Sequence, residues 1–460
     1  MNNLVSRFKD YVSKLKDYPL TIISVYFVTF FVYRDFGIRM IYGQVFLSLI
    51  LVIFLIYHLK ENGKMSFLNI KVPYILLSLV TLIIFIRPDS LKDKQNIAYI
   101  ILMLITTGFL VTTTQSKEDI RKSLGIYIFS ATTFSIIIIF FQIFQKPFWD
   151  FVLPILSPTA QVYAKKYFFS GYSMSLGGIS FTLYVIIFGL LSTISLFLFM
   201  NPSKREKYIY SALITLYSFV ILLSGRRGEL GALLISFAVF YILKGDRKTR
   251  ILRLKWLAFG IIVVSLAIVI FLPLLSKVKF LHRYTMTLNA ILHGSQVAGG
   301  VSSGRIQLYQ KAWELFLQNP IFGIGHGKFT LVSSAIHLSA EGKGMDVHNS
   351  ILQLLAETGI VGLLLVVTPF IYIYWNTMKD TFKLWNEKNK EECPYVLIAN
   401  SISLIMQTFI LITSLVDPIN YKIVFWLLYY ISFYLYVFSH VRLKSEKFEF
   451  KSKFLCIHKD

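Results

Sequence analysis

Cysteine is nearly absent from this chain: Cys393 and Cys456 are the only two in 460 residues. Two thiols cannot make a disulfide-stapled framework, and both fall in segments that the charge pattern assigns to the cytosol. The sequence also lacks a CxxC pair, an HExxH or GxSxG segment, and carboxylates clustered at metal-ligand spacing, which removes the hydrolase and metal chemistries built on those patterns. There is no low-complexity linker and no repeat of matching hydropathy, so residues 1–460 read as one domain. Acid is scarce as well, with 24 Asp and Glu against 47 Lys and Arg and a net charge of +23.

Apolar surface is what the chain has in excess. It is 55% hydrophobic and 16% aromatic, with a mean hydropathy of +0.63. A soluble protein of this size could not bury that much, so the expected class is an all-α polytopic membrane protein. About twelve spans of roughly 20 residues are expected. They fall near 19–34, 41–59, 73–88, 97–114, 124–144, 178–200, 208–224, 228–243, 256–276, 349–373, 394–416 and 421–440. Residues 1–18, with Arg7, Lys9, Lys14 and Lys16, read as an uncleaved basic lead-in.

Lys and Arg concentrate on one set of loops, above all Lys244–Arg250 and the basic tail 441–460. That bias puts both termini in the cytosol. In a membrane chain a positive excess belongs to this bias and to anionic lipid headgroups, so membrane lipids are expected partners and nucleic acid is not. The opposite face is also net positive, which runs against the usual trend and suits an anionic ligand there.

One long polar interruption breaks the apolar pattern, the expected external loop 277–348 between spans nine and ten. Chemistry-bearing residues gather in it and beside it. Ser224-Gly225-Arg226-Arg227-Gly228 places two arginines in a tight turn between spans seven and eight. Guanidinium forks match phosphate oxygens bidentately, although a pair snorkelling to lipid phosphate is the plainer reading. Ser303-Gly304-Arg305 opens an amphipathic helix at about 305–318. Ile306, Tyr309, Trp313 and Phe316 form its apolar stripe, with Leu308, Ala312 and Leu315 beside them. A cation in a first helical turn is disfavoured by the dipole unless an anion joins it, so Arg305 and the free N–H groups could form a phosphate site. Asn319-Pro320-Ile321-Phe322-Gly323-Ile324-Gly325 reads as a structural loop, with His326 a bystander. His348-Asn349 stands at the start of span ten, where a histidine can accept a proton near neutral pH. Glu357 is half a helical turn out of phase with His348, so it is not expected to orient that ring; packing or hydrogen bonding is the alternative. Asp417 reads first as a turn residue that could help close the site.

Together these segments resemble the O-antigen ligase/polymerase superfamily, bacterial membrane glycosyltransferases of the GT-C type. The resemblance rests on Ser-Gly-Arg-Arg-Gly, Ser-Gly-Arg before a Trp-containing helix, Asn-Pro-Ile-Phe-Gly-Ile-Gly, and His348 to Gly359. It implies glycan transfer from an undecaprenyl-diphosphate carrier to an acceptor sugar hydroxyl, at the outer face of the cytoplasmic membrane, with inversion and with no metal or other cofactor. It implies a diphosphate site at Arg227 and Arg305 with Arg226 in support, a catalytic base at His348, and supporting roles for Glu357 and Asn349. Arg226 stands where the family has Ser or Thr, so Arg226 and Arg227 compete for the motif arginine. Polymerisation of carrier-linked repeats is the favoured activity, partly because the Ile-, Lys- and Asn-rich composition suits an AT-rich bacterium lacking an outer membrane. The alternative is a ligase passing finished glycan to a lipid core. A lipid-linked glycan flippase is the alternative of another class, disfavoured because the charges gather at one face rather than at the bilayer midplane.

Overall fold

The computed structural model describes residues 117–155, 181–244, 247–277, 305–334, 344–386, 394–417 and 423–449, with isolated positions 21, 24, 25, 161, 165, 284, 285 and 288. Among these residues the protein is helical and has no strands. The main helices are α1 (Lys117–Ile143), α2 (Phe181–Phe199), α3 (Lys204–Leu223), α4 (Arg227–Leu243) and α5 (Arg247–Leu275). After them come α6 (Arg305–Gln318), the short α7 (Phe329–Ser333), α8 (Ser350–Asn386), α9 (Pro394–Ser414) and α10 (Ile423–Glu449). Each of the last eight expected spans contains a helix. The first four lie outside the described residues apart from Thr21, Ser24 and Val25, as do 278–283, 286–287, 289–304 and 335–343 of loop 277–348. Four helices, α1, α3, α8 and α9, are long and apolar enough to cross a membrane, and α2 is a shorter apolar helix. The chain is an integral membrane protein by this character.

Apolar side chains gain little by leaving lipid for one another, so packing and polar contacts must join the helices. α9 shows both. It sits at the centre, against α2, α4, α8 and α10, and nearly all of its length is buried. Its polar residues face neighbouring helices. Asn400 Oδ1 accepts from Thr381 Oγ1 of α8 at 2.7 Å, Gln407 Nε2 donates to Thr377 Oγ1 at 3.0 Å, and Ser403 Oγ donates to the Ser432 carbonyl of α10 at 2.6 Å. α1 and α2 approach so closely that a Cβ on Gly189 would lie 2.1 Å from the Ala131 Cβ. Ser203 and Glu206 close a reciprocal capping box at the start of α3, which fixes where that helix begins.

Two features differ from the sequence expectation. α8 continues to Asn386, well past the expected end at 373, because Thr377, Asp380 and Thr381 are buried against α9 and α10. α6 has the expected bounds, but its packed face is Leu308, Ala312 and Leu315. Ile306, Trp313 and Leu317 form the opposite, exposed stripe. The small Ala312 lets the helix sit close to α8, while the larger residues are turned outward.

Candidate functional site

The turn between α3 and α4 begins the site. Gly225 has φ 61°, in the left-handed region that glycine enters without steric cost. Ser224 steadies the turn: its Oγ donates to the Ile221 carbonyl at 2.6 Å and accepts from Arg226 N at 3.3 Å. Arg226 and Arg227 therefore sit at the N-terminus of α4, where the dipole repels cations. Glu229 relieves this for Arg226, whose Nη1 lies 2.7 Å from Glu229 Oε1. Burial works against the Arg226 charge, but Glu229, Tyr184 and Asp417 outweigh it and hold the guanidinium above its ordinary value. Arg226 is thus an internal ion-pair member. Arg227 is half-buried beside it.

His348 enters from the other side. Its φ is 58°, a left-handed conformation uncommon for a side chain with a Cβ. Local bonds impose it. Val347 N donates to Gln353 Oε1 at 3.3 Å, Tyr309 Oη donates to the His348 carbonyl at 3.3 Å, and Asn349 Oδ1 accepts from Leu352 N at 3.0 Å. Asn349 is therefore the N-cap of α8, and His348 is the residue just before it. The His348 Nδ1 lies 3.6 Å from Asp417 Oδ1, an electrostatic contact longer than a hydrogen bond. The Asp417 carbonyl accepts from Ser350 Oγ at 2.9 Å, tying the end of α9 to the start of α8.

Asp417 also links His348 to the arginine turn. It adds to the field that holds Arg226 charged, and a Cβ on Gly228 would lie 3.4 Å from Val416. Tyr184 of α2 feels Glu229, Asp417 and Arg226 as well. The sequence left Tyr184 unremarked inside an apolar run. Arg305 begins α6 one helical turn before Tyr309, and Tyr309 reaches His348. The structure thus joins Arg226, Glu229, Asp417 and His348 through direct contacts or shared electrostatics. Arg227 follows Arg226 as the first residue of α4, and Arg305 is the first residue of α6, the helix that carries Tyr309.

Glu357 has a different place. It is fully buried, accepting from Gly327 N at 2.8 Å, from Phe329 N at 3.1 Å and from Gln353 Nε2 at 3.4 Å. Around it, loop 319–325 forms a clasp on a break in α8. Ile324 N bonds the Ala356 carbonyl and Gly325 N bonds the Glu357 carbonyl, both at 2.9 Å. In return Ile360 N bonds the Pro320 carbonyl at 2.9 Å and Val361 N bonds the Ile321 carbonyl at 3.3 Å. Gly359 sits at the break with φ 64° and ψ −168°. A Cβ there would lie 2.2 Å from the Ile321 carbonyl oxygen, and one on Gly323 would lie 2.3 Å from the Glu357 carbonyl carbon. Only glycine permits this backbone-to-backbone contact. Glu357 and Asn349 both accept from backbone N–H groups, and Gln353, four residues before Glu357, joins both halves through Val347 and Asp346.

Among the described residues, no three His, Cys, Asp or Glu side chains cluster closely enough to hold a metal ion. Residues 210–367 match the family model described as O-antigen ligase. The match encloses Arg226, Arg227, Arg305, His348 and Glu357. No curated protein matches the chain.

Proposed function

We propose that this chain, a member of the O-antigen ligase/polymerase superfamily, polymerises cell-surface glycan by moving it from a polyprenyl-diphosphate carrier to an acceptor sugar hydroxyl. The observation that carries the proposal is the pairing of His348 with Asp417 beside the Arg226–Arg227 turn. A carboxylate facing Nδ1 favours the tautomer with its proton there, leaving Nε2 to accept one. In this mechanism the acceptor hydroxyl gives its proton to His348 Nε2 as its oxygen attacks the anomeric carbon. The bond from that carbon to the carrier oxygen breaks, and the diphosphate leaves with the electron pair. Direct displacement inverts the anomeric centre. Arg227 and Arg305 offset the charge that builds on the diphosphate. Arginine stays protonated throughout, so these side chains act electrostatically and not as acids. Arg226, engaged by Glu229, holds the turn in shape.

The same chemistry serves a ligase, for which the acceptor is a lipid core and the donor a finished chain. The test is a transfer assay with purified protein, carrier-linked repeat units from its host, EDTA, and no other acceptor. A ladder of longer carrier-linked glycans, lowered about 10²- to 10⁴-fold in His348→Ala, is expected for a polymerase with this base. No ladder, with transfer only after the host's lipid core is added, makes the protein a ligase. A ladder of undiminished rate in His348→Ala removes the assigned base.

A further inference from the structure

The large apolar side chains left exposed on α6 are Ile306, Trp313 and Leu317. At about 100° per residue they lie roughly opposite the packed face of Leu308, Ala312 and Leu315. Tyr309 and Phe316 join the two faces along one flank, with the Phe316 ring centre 5.2 Å from that of Trp313. Gln307, Gln310, Lys311, Glu314 and Gln318 share the other flank, where Lys311 Nζ donates to Glu314 Oε2 at 3.0 Å. A helix packed on one side and bathed in water on the other would put its polar residues opposite the packed face. Here that position is apolar and the polar residues are confined to one flank. Such a distribution suits a helix bounded by protein, by water and by a third, apolar medium.

The apolar surface continues past the end of α6. Ile321 and Phe322 follow, and 69% of Phe322 is exposed, a ring that water alone would not favour. Their segment is fixed to α8, since the Pro320 and Ile321 carbonyls accept from Ile360 N and Val361 N. From Ile360 the exposed face of α8 runs on through Leu364, Ile371 and Trp375, which recur on one side of the helix. The Lys379 ammonium lies 5.4 Å from the centre of the Trp375 ring, an aromatic and basic pairing that marks a membrane boundary. From Trp375 to Ile360 the rise is about 22 Å at 1.5 Å per residue. A hydrocarbon core of about 30 Å needs roughly 8 Å more. Beyond Ile360, α6 packs over α8, with Leu308, Ala312 and Ala356 in one apolar cluster. The clasp and the outer stripe of α6 therefore take over from α8 as the apolar surface at that height.

We propose that the outer stripe of α6 and the tip of the clasp form a lipid-contact surface, seated among the acyl chains of the leaflet at the His348 end. A helix lying in the interface sinks its apolar face about 5–10 Å into the boundary between headgroups and chains, which matches the height that α8 leaves uncovered. Tyr309 ties α6 to the His348 carbonyl, and Arg305 begins the same helix. The seat of α6 in the leaflet thus sets the depth of both residues. The proposal rests on the membrane character of the chain and not on the transfer chemistry.

The test places full-length protein, with Cys393 and Cys456 changed to serine, in vesicles of phosphatidylcholine and phosphatidylglycerol. A nitroxide is attached to L317C or F322C on the apolar surface, or to Q307C on the polar flank. Oxygen concentrates in the acyl region and a nickel chelate in water, so the ratio of their collision rates reads the surroundings of each label. For L317C and F322C the ratio of oxygen to nickel collisions should be several-fold higher than for Q307C. Equal ratios in all three variants overturn the proposal, because the stripe then lies in water. Labels on L317C and F322C that are shielded from both reagents overturn it as well, and spin–spin broadening lost on dilution with unlabelled protein then identifies a second copy of the chain as the occupant. If L317C does not fold, I306C on the same stripe gives the same readout.

Discussion

His348 is held in a left-handed conformation that costs about 1 kcal/mol or more for a residue with a Cβ. The neighbouring bonds from Tyr309, Gln353 and Asn349 sustain it. Strain of this kind, maintained by its surroundings, is consistent with a ring that must point at a substrate. Asp417 is the residue best placed to hold that ring, at 3.6 Å from Nδ1. Asp417→Asn keeps the shape and removes the charge. The expected result is a fall in kcat of about tenfold or more, smaller than for His348→Ala, with KM for the carrier-linked donor little changed. An unchanged kcat would leave Asp417 as a tie between helices and nothing more. The two arginines should separate in the opposite sense. Arg227→Ala is expected to lower turnover by about 10² to 10³, the usual effect of removing a group that meets developing charge. Arg226→Ala strands a Glu229 carboxylate that is only 10% exposed, and its main effect should be on thermal stability. Two adjacent arginines look alike in the sequence. What distinguishes them is Glu229, three residues on, whose reach to Arg226 depends on where α4 begins.

At the scale of the elements, periodicity located the helices well and the contacts between them poorly. α6 begins and ends where the apolar spacing places it, because that spacing is a local property. Which of its two stripes packs inward depends on the room left by α8, so the inward face, Leu308, Ala312 and Leu315, was not legible. The break at Gly359 was equally hidden. Thr-Gly-Ile in an apolar run reads as continuous helix, and only the returning backbone of Pro320 to Gly325 supplies the bonds that make a break tolerable. The clasp also gives Asn-Pro-Ile-Phe-Gly-Ile-Gly a structural part to play through its backbone. Gly359→Ala would combine positive φ with a methyl 2.2 Å from a carbonyl oxygen. It should destabilise the protein by about 2 kcal/mol or more. Glu357→Ala would unpair the backbone N–H groups of Gly327 and Phe329, at about 1–3 kcal/mol each. In both variants, limited proteolysis should open the 319–329 segment at lower protease concentration than in the wild type. Wild-type resistance in both would mean that the clasp is held by something other than these contacts.

The whole molecule has two chemically different ends, joined by α3, α4 and α8. One carries Arg226, Arg227, Asp417 and His348. The other carries Lys204, Lys207, Lys244, Arg250 and Lys379, most of them against aromatic rings or in first helical turns. Basic residues accumulate on the cytosolic side of a membrane protein, and aromatic rings mark the interface, so the second end should face the cytosol. The first should then face outward, where a carrier-linked glycan would meet it. This orientation can be measured without any substrate. With Cys393 and Cys456 changed to serine, a single cysteine is placed at an exposed position of either end, Gln318→Cys on α6 or Lys207→Cys on α3. A membrane-impermeant maleimide added to intact cells should label Gln318→Cys, and should reach Lys207→Cys only after the membrane is permeabilised. The reverse pattern would put His348 in the cytosol, away from an external acceptor. One labelling experiment therefore constrains both ends at once.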